Sequence, residues 1–463
     1  MASDKRYKKR KKKGRLAGKI LAVLASILIV CVAGGLVIKT VLPSVMNEKM
    51  DTAPLSAETA IKQSDNGYES RLESDASRTA DESLPDSQIP VAIESEKEMK
   101  SPEEVAKERD AWVEEQLAGM EMEEKVAQLF FVSADTLTQV VNTTTAGDTF
   151  KARFEAYPVG GMALLDGNVV GPDQLKSLTG TARELSKERV NLDLFIGVEE
   201  EGGSVLQIAD KPEFGLNDVG RMTDIGAGDD LEAAYKAGDY LGSYLSEYGI
   251  NVDFAPMADV IYNIPNSVVK DRAFGQDPIL VSDMVSKEVE GLKKWNVSAV
   301  LKHFPGHGTT EGDPAEGDAV SLRTPTELET NDYMPFRKGI EAGADFVMVG
   351  HIIMQTVSPE AVPASVSSYF MTDILKNEWG YDGIVITDDM SMVAISNRYS
   401  NADAAVASIN AGADMVFLTS GFEDAFWGVM EAVNDGVIPN ERIDESVQRI
   451  LRVKYMKQYN DKS

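Results

Sequence analysis

Histidine and cysteine are nearly absent from this chain, with three His and one Cys in 463 residues. A single Cys excludes an intramolecular disulfide and every Cys-cluster metal site. Three His are too few for a His-rich metal centre, so no metal or other cofactor is expected. Aromatic residues are scarce too, at 7%. Positive charge is in deficit: the formal net charge is −29. That argues against a nucleic-acid footprint over the surface, and nucleic acid is not an expected partner. No G-x-x-x-x-G-K-[ST] or G-x-G-x-x-G follows any strand-like run, which speaks against nucleotide binding.

The deficit is unevenly placed. Residues 1–19 carry ten Lys/Arg and one acid, Asp4, a local +9 that leaves −38 on the remainder. Directly after Lys19, Ile20 to Ile38 is a 19-residue run without charge. That is close to the ~20 residues a helix needs to cross a bilayer, and the basic flank keeps its side cytoplasmic. A cleaved secretory signal is the alternative, but its apolar region normally spans only ~7–15 residues before a small-residue site. Residues 43–100 are dominated by Ser, Asp, Glu, Ala and Thr, a composition that cannot bury enough surface to fold. The expected organisation is a basic cytoplasmic tail (1–19), a single-pass signal anchor (20–42), an acidic disordered linker (43–100) and a folded domain (101–460). The domain would then be held outside the cell membrane. Order is expected to resume at Ser101-Pro102-Glu103-Glu104, a helix start with Pro in the first turn.

Eight apolar runs recur beyond that point, at 126–132, 160–166, 194–200, 251–260, 297–303, 345–351, 383–389 and 414–420. They lack strict alternation, as strands covered on both faces should. Segments of helical periodicity separate most of them, including 172–189, 229–249 and 281–295. Eight such units predict an α/β fold, a (β/α)₈ TIM-type barrel, over a doubly wound sheet. Residues able to do chemistry collect at the C-terminal ends of these strands: Glu199, Glu200, Glu201, Asp259, Lys302, His303, His351, Asp388 and Asp389. Barrel active sites lie on that face. Solvated strand ends would explain any one of them, but five strands of eight favour an enzyme over a binding module.

The most specific stretch is Lys302-His303-Phe304-Pro305-Gly306-His307-Gly308. It sets a cation and two imidazoles on one small loop, suited to bonding substrate hydroxyls. The stretch resembles the signature of glycoside hydrolase family 3, in its β-N-acetylglucosaminidase branch. Gly197–Gly203, Asn251–Pro256, Asp271–Gly275 and Ile386–Met392 resemble further segments of that family, in order, over roughly residues 105–458. The resemblance implies a retaining exo-glycosidase releasing terminal β-linked N-acetylhexosamine, perhaps from cell-wall glycan, with Asp388 as nucleophile. It also implies that Glu199, Arg272, Lys302, His303, His307 and His351 line the sugar site. Arg272 paired to Asp271 or Asp277 is a structural alternative, and Asp389 is expected to bond locally.

Departures from the family pattern bear on activity. The loop after Gly308 normally carries an Asp-x-His pair whose His serves as general acid/base; here Asp313 matches the Asp but Ala315 replaces the His. All three His are already placed, so Glu316 or Asp313 is the expected replacement, although four acids in ten residues also suit a solvated loop. Glu199 replaces an Asp, and Ser204 and Gln207 stand where Arg residues are usual. A weakened glycan-binding relative at the cell surface, a β-glucosidase or a glycoside phosphorylase are therefore alternative readings. Oligomeric state is not legible.

Overall fold

The computed structural model describes residues 100–262, 268–358 and 360–461. The expected basic tail, membrane anchor and all but the last residue of the linker lie outside these residues. Among the described residues, no helix is long and apolar enough to cross a membrane.

Order begins where the sequence signalled it. Ser101 caps helix Pro102–Gly119: its Oγ accepts the Glu104 N–H, while Glu104 reaches back to the Ser101 N–H. This reciprocal cap satisfies donors that a helix start leaves unpaired. Asp230 and Asp277 cap helices Leu231–Glu247 and Pro278–Lys294 one way only, each accepting an N–H two residues on.

The eight apolar runs all contain strands of one parallel sheet. These are β1 (Phe130–Ser133), β2 (Gly161–Ala163), β3 (Phe195–Val198), β4 (Val252–Asp253), β5 (Ser298–Phe304), β7 (Phe346–Val349), β9 (Ile384–Thr387) and β10 (Val416–Leu418). Their order is β10-β1-β2-β3-β4-β5-β7-β9. A parallel bridge from Ile386 to Met415, beside β10, brings the two edge strands together and nearly closes the barrel. Every barrel strand is buried along its length, which is why the runs show no polar alternation. A small parallel pair, β6 (Ala319–Ser321) with β8 (Ile352–Met354), was not anticipated. Its strands follow β5 and β7 and so lie on the C-terminal side of the barrel.

Side chains from both adjacent and distant strands fill the barrel. Phe131 of β1, Phe254 after β4 and Phe417 of β10 meet with ring centroids 5.3–6.2 Å apart. Gly161 makes room for this layer, since a Cβ there would lie 2.3 Å from the Phe131 ring. Outside, helix Asn440–Asn460 packs along helix Pro102–Gly119, with Tyr455 and Trp112 rings 5.5 Å apart.

Candidate active site

Parallel strands that end together deliver their C-terminal residues to one face. β3 runs into Glu199, Glu200 and Glu201; Asp253 ends β4; Lys302 and His303 lie just before Phe304, the last residue of β5; His351 follows β7 and Asp388 follows β9. All the strand-end residues singled out from the sequence therefore share the barrel mouth.

A charged triad forms its floor. Lys302 is fully buried, with Nζ 2.5 Å from Glu201 Oε1 and 3.0 Å from Glu199 Oε1. Arg272 grips the same Glu201 through a two-point fork at 2.7 and 2.5 Å. Burial works to raise the Glu201 carboxyl, but the charges of Lys302 and Arg272 outweigh it and hold it at about 2. Burial likewise disfavours the Lys302 ammonium, yet Glu201 and Glu199 keep its proton affinity above the ordinary value. Glu201 is the buried carboxylate shared by both cations, and the more exposed Glu199 supplies a second negative charge to Lys302. The Arg272 partner is thus Glu201, neither Asp271 nor Asp277. Asp277 spends its side chain on a helix cap, and Asp271 lies 3.7 Å from Arg221.

Glu199 is the exposed member of this group, with a 46% exposed side chain open to the mouth. Gln207 braces it, its Oε1 accepting the Glu199 N–H at 3.1 Å, while Ser204 is exposed. Beneath the triad lie acids that sequence reasoning passed over. Glu288, on helix Pro278–Lys294, is 1% exposed and neither carboxyl oxygen has a hydrogen-bond partner among the described residues. Burial, reinforced by the charge of Glu201, pushes it up to about 8, so it is neutral at pH 7. Burial also pushes the Asp253 carboxyl well above the usual range. A signal for Glu288 existed: it falls on the apolar stripe of Val281, Met284, Val285, Val289 and Leu292, where a charge is out of place.

A second hub organises the histidine loop. Asp259, 1% exposed, accepts the His303 N–H and ring Nδ1–H through Oδ2 at 3.1 and 2.9 Å. Its Oδ1 accepts the His307 N–H at 2.6 Å. Burial works against the Asp259 charge, but the hydrogen bond from His303 and the nearby imidazoles hold its carboxyl below the usual range. Gly308 allows the loop to lie against the segment after β4, because a Cβ there would sit 1.6 Å from Val260 O. Asp259 was noted in the sequence only as a strand-end acid; its role as the hub of this loop depends on a contact 44 residues away.

The three imidazoles differ in what they have left to offer. His307 Nδ1 is 2.5 Å from Thr310 Oγ1, and burial with the His303 charge lowers its proton affinity. His351 uses both nitrogens: Nε2–H donates to Asp389 O at 2.9 Å and Nδ1 lies 2.7 Å from Ser365 Oγ. His303 is fixed at Nδ1 alone.

Asp388 is 7% exposed and accepts the Asp389 N–H at 2.8 Å. Burial opposes its charge, but His351, His303 and Lys302 more than offset this and lower the carboxyl below the usual range. It is a buried carboxylate held in its ionised form by these neighbours. Asp389 bonds locally, as expected: Oδ1 accepts Ser391 N–H and Thr419 N–H at 3.0 and 3.1 Å, tying β9 to β10.

The acidic loop after Gly308 is stitched in place. Glu311 and Val320 exchange two backbone hydrogen bonds, the Ala394 N–H donates to Pro314 O, and Asp318 pairs with Arg398 at 2.6 Å. Asp313 spends Oδ1 on the Ala315 N–H at 2.8 Å, and Glu316 is exposed. No hydrogen bond or ion pair joins Asp313 or Glu316 to Asp388 among the described residues.

Residues 121–453 match the model of the glycosyl hydrolase family 3 N-terminal domain. The chain belongs to glycosyl hydrolase family 3. Among curated relatives, a β-hexosaminidase of Nitrosomonas eutropha is 33% identical over 279 residues, 59% of this chain and 78% of that protein. A β-N-acetylglucosaminidase/β-glucosidase of Cellulomonas fimi is 27% identical over 353 residues, 74% of this chain and 59% of that one. Among solved structures, a family 3 β-N-acetylglucosaminidase from a Paenibacillus species superposes with a TM-score of 0.69 at 33% identity, covering 74% of this chain. This family 3 chain spans 63% of the Paenibacillus protein.

Proposed function

We propose that this family 3 barrel is a retaining exo-glycosidase that releases terminal β-linked N-acetylhexosamine, with Asp388 as nucleophile. The observation that carries the reading is the ionised, buried Asp388 beside the Glu201–Lys302–Arg272 triad and His303 at one strand-end mouth. The hexosaminidase and N-acetylglucosaminidase names of the relatives support the substrate class. Asp388 attacks the anomeric carbon and the glycosidic C–O bond breaks; water then releases the sugar from the covalent intermediate. Lys302, Glu199 and Arg272 hold ring hydroxyls, and His307 and His351 keep the mouth in shape through Thr310 and the Asp389 carbonyl. The test is turnover of an aryl β-N-acetylglucosaminide and an aryl β-glucoside by the full chain. Asp388→Ala should abolish it, and equal rates for the two proteins would refute the reading.

The absent loop histidine favours one other reading, a weakened relative that binds glycan without cleaving it. Calorimetric binding of chitin oligosaccharides without turnover would establish that instead. Adding inorganic phosphate to the assay separates hydrolysis from phosphorolysis.

We also propose that residues 1–42 anchor the barrel to the cell membrane, with the N-terminus cytoplasmic. The support is the charge-free run Ile20 to Ile38 behind ten basic residues.

A further inference from the structure

Retaining hydrolysis needs a group that gives a proton to the leaving oxygen and then takes one from water. The resemblance implies that group at a loop position which here holds Ala315. The loop carboxylates are poorly disposed to replace it. Asp318 is engaged by Arg398, Asp313 by the Ala315 N–H, and Glu316 is exposed with no side chain among the described residues bonded to it.

The mouth contains another unit of the required kind. His303 donates Nδ1–H to a buried, ionised Asp259, which fixes the tautomer and leaves Nε2 as the working nitrogen. Its Nε2 makes no hydrogen bond to the described residues, and its side chain retains 9% exposure. His351 has both nitrogens bound, and His307 is 2% exposed with Thr310 on Nδ1. His303 is therefore the imidazole with a nitrogen to spare at the mouth, close enough for its charge to act on Asp388.

We propose that His303, held by Asp259 as a positioning residue, is the proton-transfer residue of this site. The inference rests on the glycosidase reading above. In the first half-reaction Asp388 forms a bond to the anomeric carbon, the glycosidic bond breaks, and Nε2–H passes its proton to the departing oxygen. In the second, Nε2 takes a proton from water, the water oxygen bonds to the anomeric carbon, and the bond to Asp388 breaks. Asp259 stays ionised throughout and stabilises the imidazolium, as a carboxylate behind a catalytic imidazole does.

The test compares leaving groups in the full chain. A 2,4-dinitrophenyl β-N-acetylglucosaminide leaves without protonation, whereas a 4-methylumbelliferyl one gains from it. For His303→Ala, kcat/KM on the methylumbelliferyl substrate should fall by about 10²–10⁴-fold. On the dinitrophenyl substrate kcat/KM should fall far less, and added azide should restore turnover with a glycosyl azide of retained configuration as product. Asp259→Asn should show the same leaving-group dependence in milder form. If both substrates fall equally for His303→Ala and no azide product forms, His303 only binds sugar and the proposal is overturned. The same signature from Glu316→Gln or Asp313→Asn, and not from His303→Ala, overturns it in favour of the loop. His303→Gln, checked by circular dichroism, carries the measurement if the alanine variant does not fold. Loss of the glycosidase reading itself would look different: wild type and Asp388→Ala would be indistinguishable on both substrates.

Discussion

Replacing Glu288 by Gln removes one titratable proton from the barrel wall while preserving side-chain shape. The folded protein holds the Glu288 carboxyl at about 8, against an ordinary value of 4.5. Between these limits the unfolded chain has released the proton and the folded chain has kept it. Stability therefore falls as pH rises, by about 1.4 kcal/mol per pH unit from this group alone. Integrated, the penalty is about 1 kcal/mol at pH 5 and about 4 kcal/mol at pH 8. A buried Gln amide has its own unmet hydrogen bonds, but that cost does not vary with pH. The difference between Glu288→Gln and wild type should thus widen in favour of the variant by about 3 kcal/mol from pH 5 to pH 8. At about 1–2 °C per kcal/mol for a domain of this size, the melting temperatures should diverge by about 3–6 °C. Thermal melts of both proteins at four pH values over that range measure it. A constant offset between the two curves would show that Glu288 is ionised or solvated in the folded state, and the reasoning from burial would be wrong.

Glu201→Gln should destabilise the protein by about 3–5 kcal/mol at pH 7, because it leaves Lys302 and Arg272 buried without their shared carboxylate. The Glu201 contribution is fully present above pH 4.5 and is lost as pH falls towards about 2, so denaturant midpoints of the two proteins should converge in strong acid. Phe131→Ala empties the contact with Phe254 and Phe417 and should cost about 3–5 kcal/mol in chemical denaturation. If residues 20–42 form the membrane anchor, the full chain should stay in the pellet on alkaline carbonate extraction, and a chain deleted for 1–42 should not.

The barrel itself was readable because its evidence is local. A strand buried on both faces must be apolar throughout, and a helix covering it must show a stripe, so eight repeats of that alternation specify closure. Each of the eight runs holds a barrel strand, and Ser101 caps a helix as its neighbours Pro102 and Glu104 imply. The small pair β6 and β8 escaped notice because three-residue strands leave no periodicity to read. The sequence also settled a negative: with His303, His307 and His351 as the whole complement, no histidine remains for the loop at Ala315.

Sequence alone, then, determined the family resemblance and the barrel, and it gathered the candidate residues at the strand ends. Tertiary structure decided which charges meet. Arg272 pairs with Glu201 across 71 residues and His303 with Asp259 across 44, while nearer acids are taken by caps and other cations. Glu288 stands out in the sequence only as an acid on an apolar stripe; the fold decides that it faces Glu201 and Lys302. The physical reason is that strand pairing fixes neighbours in space. Periodicity fixes only which side of its own element a residue faces, and the strength of a charge depends on the burial and partners that only closure supplies.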